Sequence, residues 1–394
     1  MAVISREWIA LLVLSPLFVF PPVGNPLLTL VLLLPLVWIT SRPLLPLTEL
    51  NGSLLLLALA VLVSLTASFD VLFSAPKVLG VVFGIAVFFA IVRSIRDQTS
   101  LDFFVRAFSA AGGALAILGL LGTDWIHKVV VLRSITARLP AVIRGVPGQA
   151  EGFQPNAIAG ALVMFLPLQF ALAVSDASRR QRLLHGALLA VTAITLLLTQ
   201  SRGGYLSLAA GCFAWALWHG RRSRVAAVTT LLVALAVAVP LRHRLAPVIF
   251  GSVGAGVATD VDSRVELWSR AIAMISDFPI TGVGMNGFRR VMPVMYPALL
   301  TRPDVDVAHA HNHLLQVALD IGLPGLVAYL ALWCGAAALL ISVYRNSRVI
   351  SGLAAGMVAY FAFGTSDAIA LGAKVGIFFW VALGIIVAEK RLAA

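Results

Sequence analysis

The sequence predicts an all-α polytopic membrane protein with about twelve transmembrane helices. Three observations lead there. Of its 394 residues 60% are hydrophobic and only 12% charged, where an ordinary soluble domain carries about 25% charged residues; mean hydropathy is +0.98. Apolar runs long enough to cross a hydrocarbon core of about 30 Å recur along the whole chain. The arginines between those runs alternate in a way that assigns sides. A single membrane domain over residues 1–394 fits better than several soluble ones, because lipid solvates apolar surface that a globular core cannot hide.

The spans fall at about 8–20, 26–40, 53–68, 75–92, 102–122, 154–175, 183–200, 203–219, 225–248, 314–343, 349–366 and 371–388. Helices are required, since an isolated strand would leave backbone groups unpaired in lipid and no alternating barrel pattern occurs. Several runs are shorter than the roughly 20 residues of an ideal span, which calls for tilt or snorkelling ends. Arg6 precedes an apolar run as in a secretory leader, but Phe20-Pro21-Pro22 follows instead of a small-residue cleavage site, so a retained first span is expected. Cys212 and Cys334 both lie in apolar runs and imply no disulfide framework.

Arg93 and Arg96, then Arg179, Arg180 and Arg182, then Arg221, Arg222 and Arg224, then Arg345 and Arg348 occupy alternate connections. Arg6, Arg42, Lys390 and Arg391 share their side, which the positive-inside rule makes cytoplasmic together with both termini. The formal charge is +12, and 25 of the 29 basic residues are arginine. Scattered over short connections with no basic domain or aromatic platform, these charges exclude nucleic acid as a partner. Membrane lipids and topology account for part of the excess.

Basic residues on the opposite, outward side need another reason. The connection at about 123–153 carries Lys128, Arg133, Arg138 and Arg144, and the turn Gln200-Ser201-Arg202-Gly203-Gly204 faces the same way. The longest connection, 249–313, between spans 9 and 10, carries Arg264, Arg270, Arg289, Arg290 and Arg302. Within it, Gly251 to Gly256 reads as mobile, and Ser263-Arg264-Val265-Glu266 reads as a capping box. The helix that follows puts Val265, Trp268, Ile272 and Ile275 on one face, as if lying on the membrane surface.

Two glycines behind Arg202 let backbone approach a ligand and open a helix, whose amides with a guanidinium suit a phosphate; a snorkelling interfacial arginine is the plain alternative. Arg264 in the first helical turn opposes the helix dipole, which favours a functional reason for it, whereas a solvated charged face accounts for Arg270, Arg289 and Arg290. Gly282-Val283-Gly284-Met285-Asn286-Gly287 matches GxGxxG, but no strand or βαβ unit surrounds it, so the dinucleotide reading fails and a flexible turn into a short helix is expected.

His309-Ala310-His311-Asn312-His313 is the sharpest local feature. With Asp304 or Asp306 it offers zinc-ligand types, but alternate histidines do not share a helical face and no second ligand cluster exists. Histidine as general base is the better reading, and a metal site is the weaker one. Polar packing at a helix start would explain two of the three. Asn312, Gln316 and Asp320 fall on one helical face, a polar stripe that should line a groove rather than face lipid, and Gly322 with Pro324 should bend the chain.

In these motifs the sequence resembles the O-antigen ligase family, which shares its core with O-antigen polymerases. The residues that carry the resemblance are His311-Asn312, nine residues, then Gly322-x-x-Gly325, together with Ser201-Arg202-Gly203, the Ser263-Arg264 helix and the upstream Gly152-Phe153-Gln154-Pro155-Asn156. It spans roughly residues 150–330 and implies a GT-C-like membrane glycosyltransferase of the bacterial inner membrane, with its active site on the periplasmic face. The implied donor is an undecaprenyl-diphosphate-linked glycan and the implied acceptor is the lipid A–core, and the resemblance implies no metal or cofactor. Carried over residue by residue, Arg202 and Arg264 would bind the diphosphate and His311 would act on the acceptor hydroxyl. His309, Asn312, His313, Gln316, Arg144, Arg270, Arg289, Arg290 and Asn156 are the candidate substrate contacts. A polymerase of the same superfamily is the nearest alternative; a lipid-linked sugar flippase is a more distant one, because the polar groups gather at one face rather than at the midplane.

Overall fold

The computed structural model describes residues 6–19, 29, 31, 43–125, 130–139, 142–145, 152–176, 178–241, 260–300, 306–345, 347–369 and 371–393. Among these the chain is all helical, with one isolated bridge between Thr123 and Phe153. The helices are α1 (Arg6–Val19), α2 (Asn51–Thr66), α3 (Val71–Ser94), α4 (Gln98–Gly122) and α5 (Val130–Thr136). Then come α6 (Pro155–Leu162), α7 (Leu166–Ser175), α8 (Arg179–Leu198), α9 (Arg202–Trp218) and α10 (Arg221–Ala238). After residues 242–259 follow α11 (Asp260–Asp277), α12 (Phe288–Met295), α13 (His313–Val343), α14 (Arg348–Gly364) and α15 (Ile377–Ala393).

Each span expected from the sequence has a helix at its position except the second, most of which lies outside the described residues. Among the described residues five stretches are long and apolar enough to cross a membrane: α3, α4, α6 with α7, α8 and α13. Three shorter helices among them, within α1, α2 and α14, are also apolar. This is a multi-pass membrane protein. The glycine-rich stretch 251–256 lies outside the described residues.

Small residues let the helices approach closely, the packing that serves where lipid removes the hydrophobic drive between helices. Gly84 lies under the Trp380 ring, Gly112 under Phe165 and Gly160 under Phe363. Gly211 of α9 meets the Ala355 carbonyl of α14, and Gly356 meets the Met164 carbonyl at the α6–α7 junction. At the end away from the histidines, Arg93 of α3 pairs with Glu7 of α1, both nearly buried.

Two sequence expectations are corrected in the long connection. The helix begins at Asp260, not after Ser263, so Ser263 is no N-cap and Arg264 lies in the second turn, beyond the strongest part of the helix dipole. Glu266 does not reach back; its carboxylate accepts the Leu299 and Leu300 amides at 2.6 and 2.9 Å. The helix buries Leu267, Ala271 and Met274 against Val283, Phe288, Met292, Ala310 and Leu319, leaving Val265 and Ile272 exposed. It packs onto the protein by this stripe, while Val265 and Ile272 of the face expected to lie on the membrane surface stay open.

Gly356→Val should overpack the contact of α14 with the α6–α7 junction by about 1–3 kcal/mol and lower the thermal unfolding midpoint in detergent. Gly52→Ala, where a Cβ meets nothing within 4 Å, should leave it unchanged or slightly raised.

Candidate active site

The site is organised by a break in α13. Ile321 (φ −139°) and Gly322 (φ +72°) are non-helical, and a Cβ on Gly322 would strike the Ile280 carbonyl. In an unbroken helix the Leu323 amide would bond the Leu319 carbonyl. Here the two groups are separated and both are taken up by the turn that precedes α12. Leu323 N–H donates to the Pro279 carbonyl at 2.7 Å, and the Leu319 carbonyl accepts from Val283 N–H at 2.8 Å. Gly282 (φ +65°) lies directly against the Leu319 carbonyl. The GxGxxG stretch is thus a packed backbone clasp, not the loose turn expected of it, and its glycines serve close approach to a helix rather than to a nucleotide.

The polar stripe is corrected as well. Gln316 and Asp320 are fully buried and line no groove. Asp320 Oδ1 accepts from Gln316 Nε2 at 2.9 Å and from Asn286 N–H at 3.1 Å. Gln316 Oε1 accepts from Ala310 N–H, between the two leading histidines, at 2.9 Å. Asn312 caps α13, its side chain accepting from Leu314 and Leu315 N–H at 3.0 and 3.1 Å. Its amide nitrogen donates to the Thr365 carbonyl at 3.1 Å.

That last bond leads to the turn after α14, residues 365–367, on which the expected catalytic residues converge. His311 Nδ1 stands 3.0 Å from Asp367 Oδ1, with His309 Nδ1 at 3.7 Å from the same oxygen. Arg264 donates to the Ser366 carbonyl. A Cβ on Gly203, next to Arg202, would lie 2.8 Å from Ser366 Oγ. Arg202 is the first residue of α9, whose N-cap Ser201 accepts from Gly204 N–H at 3.3 Å.

Asp367 was not a sequence candidate. Thr365-Ser366-Asp367 falls at the end of the expected span 349–366; the usable signal was a carboxylate between two spans. Burial pushes the Asp367 carboxyl up, but the His311 hydrogen bond, the histidine charges and the Ala368 N–H outweigh it and hold it at about 2. Burial lowers His309 to about 4 against the pull of Asp367, with the nearby charges of His311, Lys77 and Arg264 acting the same way. His309 accepts at Nδ1 from His311 N–H at 3.4 Å, as a neutral ring would. With Asp367 ionised, the hydrogen bond between them requires the proton on His311 Nδ1. His311 (φ +50°), Asn286 (φ +67°) and Gln200 (φ +53°) are the non-glycine residues with left-handed backbone among those described. Such strain, about 1–3 kcal/mol each, persists where surrounding structure enforces it.

The remaining candidates separate. His313 is buried, its ring against Gly364, Phe361 and Tyr329. Asn156 is half-buried in α6, one turn before Gly160 packs under Phe363. Arg270 pairs with Glu266 at 3.7 Å, Arg289 with Asp306, and Arg290 stacks over Phe73 at 4.8 Å. Arg144 is exposed, and no described contact joins it to the histidine loop. His309, His311 and Asp367 offer metal-ligand types with their atoms within 4.8 Å of one another. The carboxylate is Asp367 rather than Asp306, which Arg289 holds, or residue 304, which lies outside the described residues.

A multi-pass helical bundle with arginines and a carboxylate-bound histidine at one end is the class of protein this geometry defines. Residues 187–330 match the model of the O-antigen ligase family, so this stretch is a domain of that family. The family covers O-antigen ligases and polymerases, which are membrane glycosyltransferase-like enzymes. No curated protein matches the chain. Arg202, Arg264, His311 and the α13 break lie inside the matched stretch; Asp367 lies beyond it.

Gly322→Ala should open the clasp. Amide hydrogen exchange at Val283 and Leu323 is expected to rise above that of the unaltered protein, with loss of ordered structure over residues 279–287.

Proposed function

We propose that the protein is an O-antigen ligase. It moves a glycan from undecaprenyl diphosphate onto a hydroxyl of the lipid A–core, at the periplasmic face of the bacterial inner membrane, with both termini cytoplasmic. One observation carries this reading: a single turn, residues 365–367, gathers Arg264, the Arg202 turn and a hydrogen-bonded histidine–aspartate pair.

Each residue type has a task in such a transfer. The acceptor oxygen forms a bond to the donor's anomeric carbon as the bond to the diphosphate oxygen breaks. Negative charge grows on the departing polyprenyl diphosphate, where fixed guanidinium groups of Arg202 and Arg264 stabilise it without proton transfer. The proton of the acceptor hydroxyl passes to His311 Nε2. Asp367, hydrogen-bonded at Nδ1, fixes the tautomer and stabilises the imidazolium that forms, as a carboxylate does for histidine bases elsewhere. No metal takes part in this scheme, and the His309 ring packs against that of His311 as a neutral neighbour.

Reconstituted with lipid-linked donor and purified core lipid, Arg202→Ala, Arg264→Ala and His311→Ala should each lose transfer by about 10²-fold or more. Asp367→Asn should lower kcat with little change in KM. Chelator should leave the rate unchanged; loss restored by a divalent cation would replace the hydrogen-bonded pair with a metal centre. His309, held at about 4, and Asp367, held at about 2, keep their charge states from pH 5 to 8. His309→Gln should accordingly preserve the shape of the pH–rate profile there. Deletion of the gene should leave polymer on its carrier and bare core. Single repeats on core would instead identify a polymerase.

A further inference from the structure

We infer that Lys77 of α3 is a positioning residue for the histidine pair, acting through Asp320 and Gln316. The inference rests on the transferase reading of that pair. Lys77 Nζ lies 3.4 Å from Asp320 Oδ2, with side-chain exposures of 15% and 0%. The other oxygen of Asp320 holds Gln316 Nε2 and Asn286 N–H. Gln316 spends its second polar atom on Ala310 N–H, and Ala310 is itself fully buried. Three side chains thus form a continuous strut from α3 to the peptide between His309 and His311.

The strut is charged at its far end, and this makes Lys77 more than a packing residue. A carboxylate with no exposure keeps its charge only beside a cation, and removing one partner of a buried pair is far worse than removing both. Without Lys77, Asp320 must take up a proton or recruit water. Either change weakens Oδ1 as the shared acceptor for Gln316 and Asn286, and the loop carrying His311 loses its fixed distance from Asp367. The same end of α3 is tied a second time, by Asn286 Nδ2 to the Phe73 carbonyl at 3.2 Å. A displaced base costs rate while leaving substrate affinity largely intact.

The test compares Lys77→Met, Lys77→Arg, Asp320→Asn and the double variant Lys77→Met/Asp320→Asn in the full-length, reconstituted protein. Transfer kinetics and hydrogen exchange of the segment 307–316 are measured together. Lys77→Met should lower kcat at least about tenfold with donor KM within about twofold, and should raise exchange at Ala310. Lys77→Arg should keep most of the rate. Asp320→Asn should be milder than Lys77→Met, because an amide oxygen still accepts from Gln316 and Asn286. The double variant should return to the Asp320→Asn level in both readouts. The inference is overturned if the double variant stays as slow as Lys77→Met with native exchange, which would make Lys77 a direct substrate contact. Native rate and exchange in Lys77→Met would overturn it too. Absence of transfer in the unaltered protein would sink the ligase reading alone, since exchange still decides whether the strut exists.

Discussion

A hydrogen bond that α13 does not make organises this molecule. Where an intact helix would join Leu323 N–H to the Leu319 carbonyl, the chain turns at Ile321–Gly322 and offers both groups to the segment 279–283. Inside a membrane protein such a break survives only if its backbone groups find other partners. That segment supplies them, and in doing so it is fixed to the bundle by backbone rather than by side-chain contacts alone. Much of the proposed site hangs from that seam. Asp320, just before the break, holds Gln316 and Asn286; Asn312 and the histidines precede it; α11, carrying Arg264, is packed over Leu319.

The second fixed point is the turn 365–367, and its strength lies in how many elements it joins. It accepts from Asn312 and Arg264, sits against Gly203, and presents Asp367 to the histidines. Among the described residues the three left-handed non-glycine ones sit near these joints, one before Arg202, one in the clasp and one at His311. Strain of that kind is tolerated when neighbours over-determine the backbone, and here two seams hold the chain from opposite sides.

Much of the bundle was legible in the sequence because its signal is local. Apolar runs, arginine-flanked ends and glycine positions report helices and their limits without knowledge of partners. Arg202, Arg264, His311 and Asn312 stood out one by one through residue type and place, and the family resemblance joined them into one candidate site. The misreadings share a cause. Glu266 read as a cap and Gln316 as a groove residue because a sequence shows only neighbours along the chain. Their actual partners are Leu299 and Leu300, and Ala310. Lys77 and Asp367 carried no local signal beyond a charge near a span end, and both lie outside the matched family stretch.

By itself the sequence determined that this chain lives in lipid as helices, since burying that much apolar surface with paired backbone leaves no other form. It also determined which residue types were available for a phosphate-bearing substrate. Tertiary structure decided which of them act together. A carboxylate 56 residues beyond His311 completes the histidine pair, and a lysine 243 residues before Asp320 balances its buried charge. Periodicity cannot encode such pairings, because hydrogen bonds and charge neutralisation depend on distances that only packed helices set.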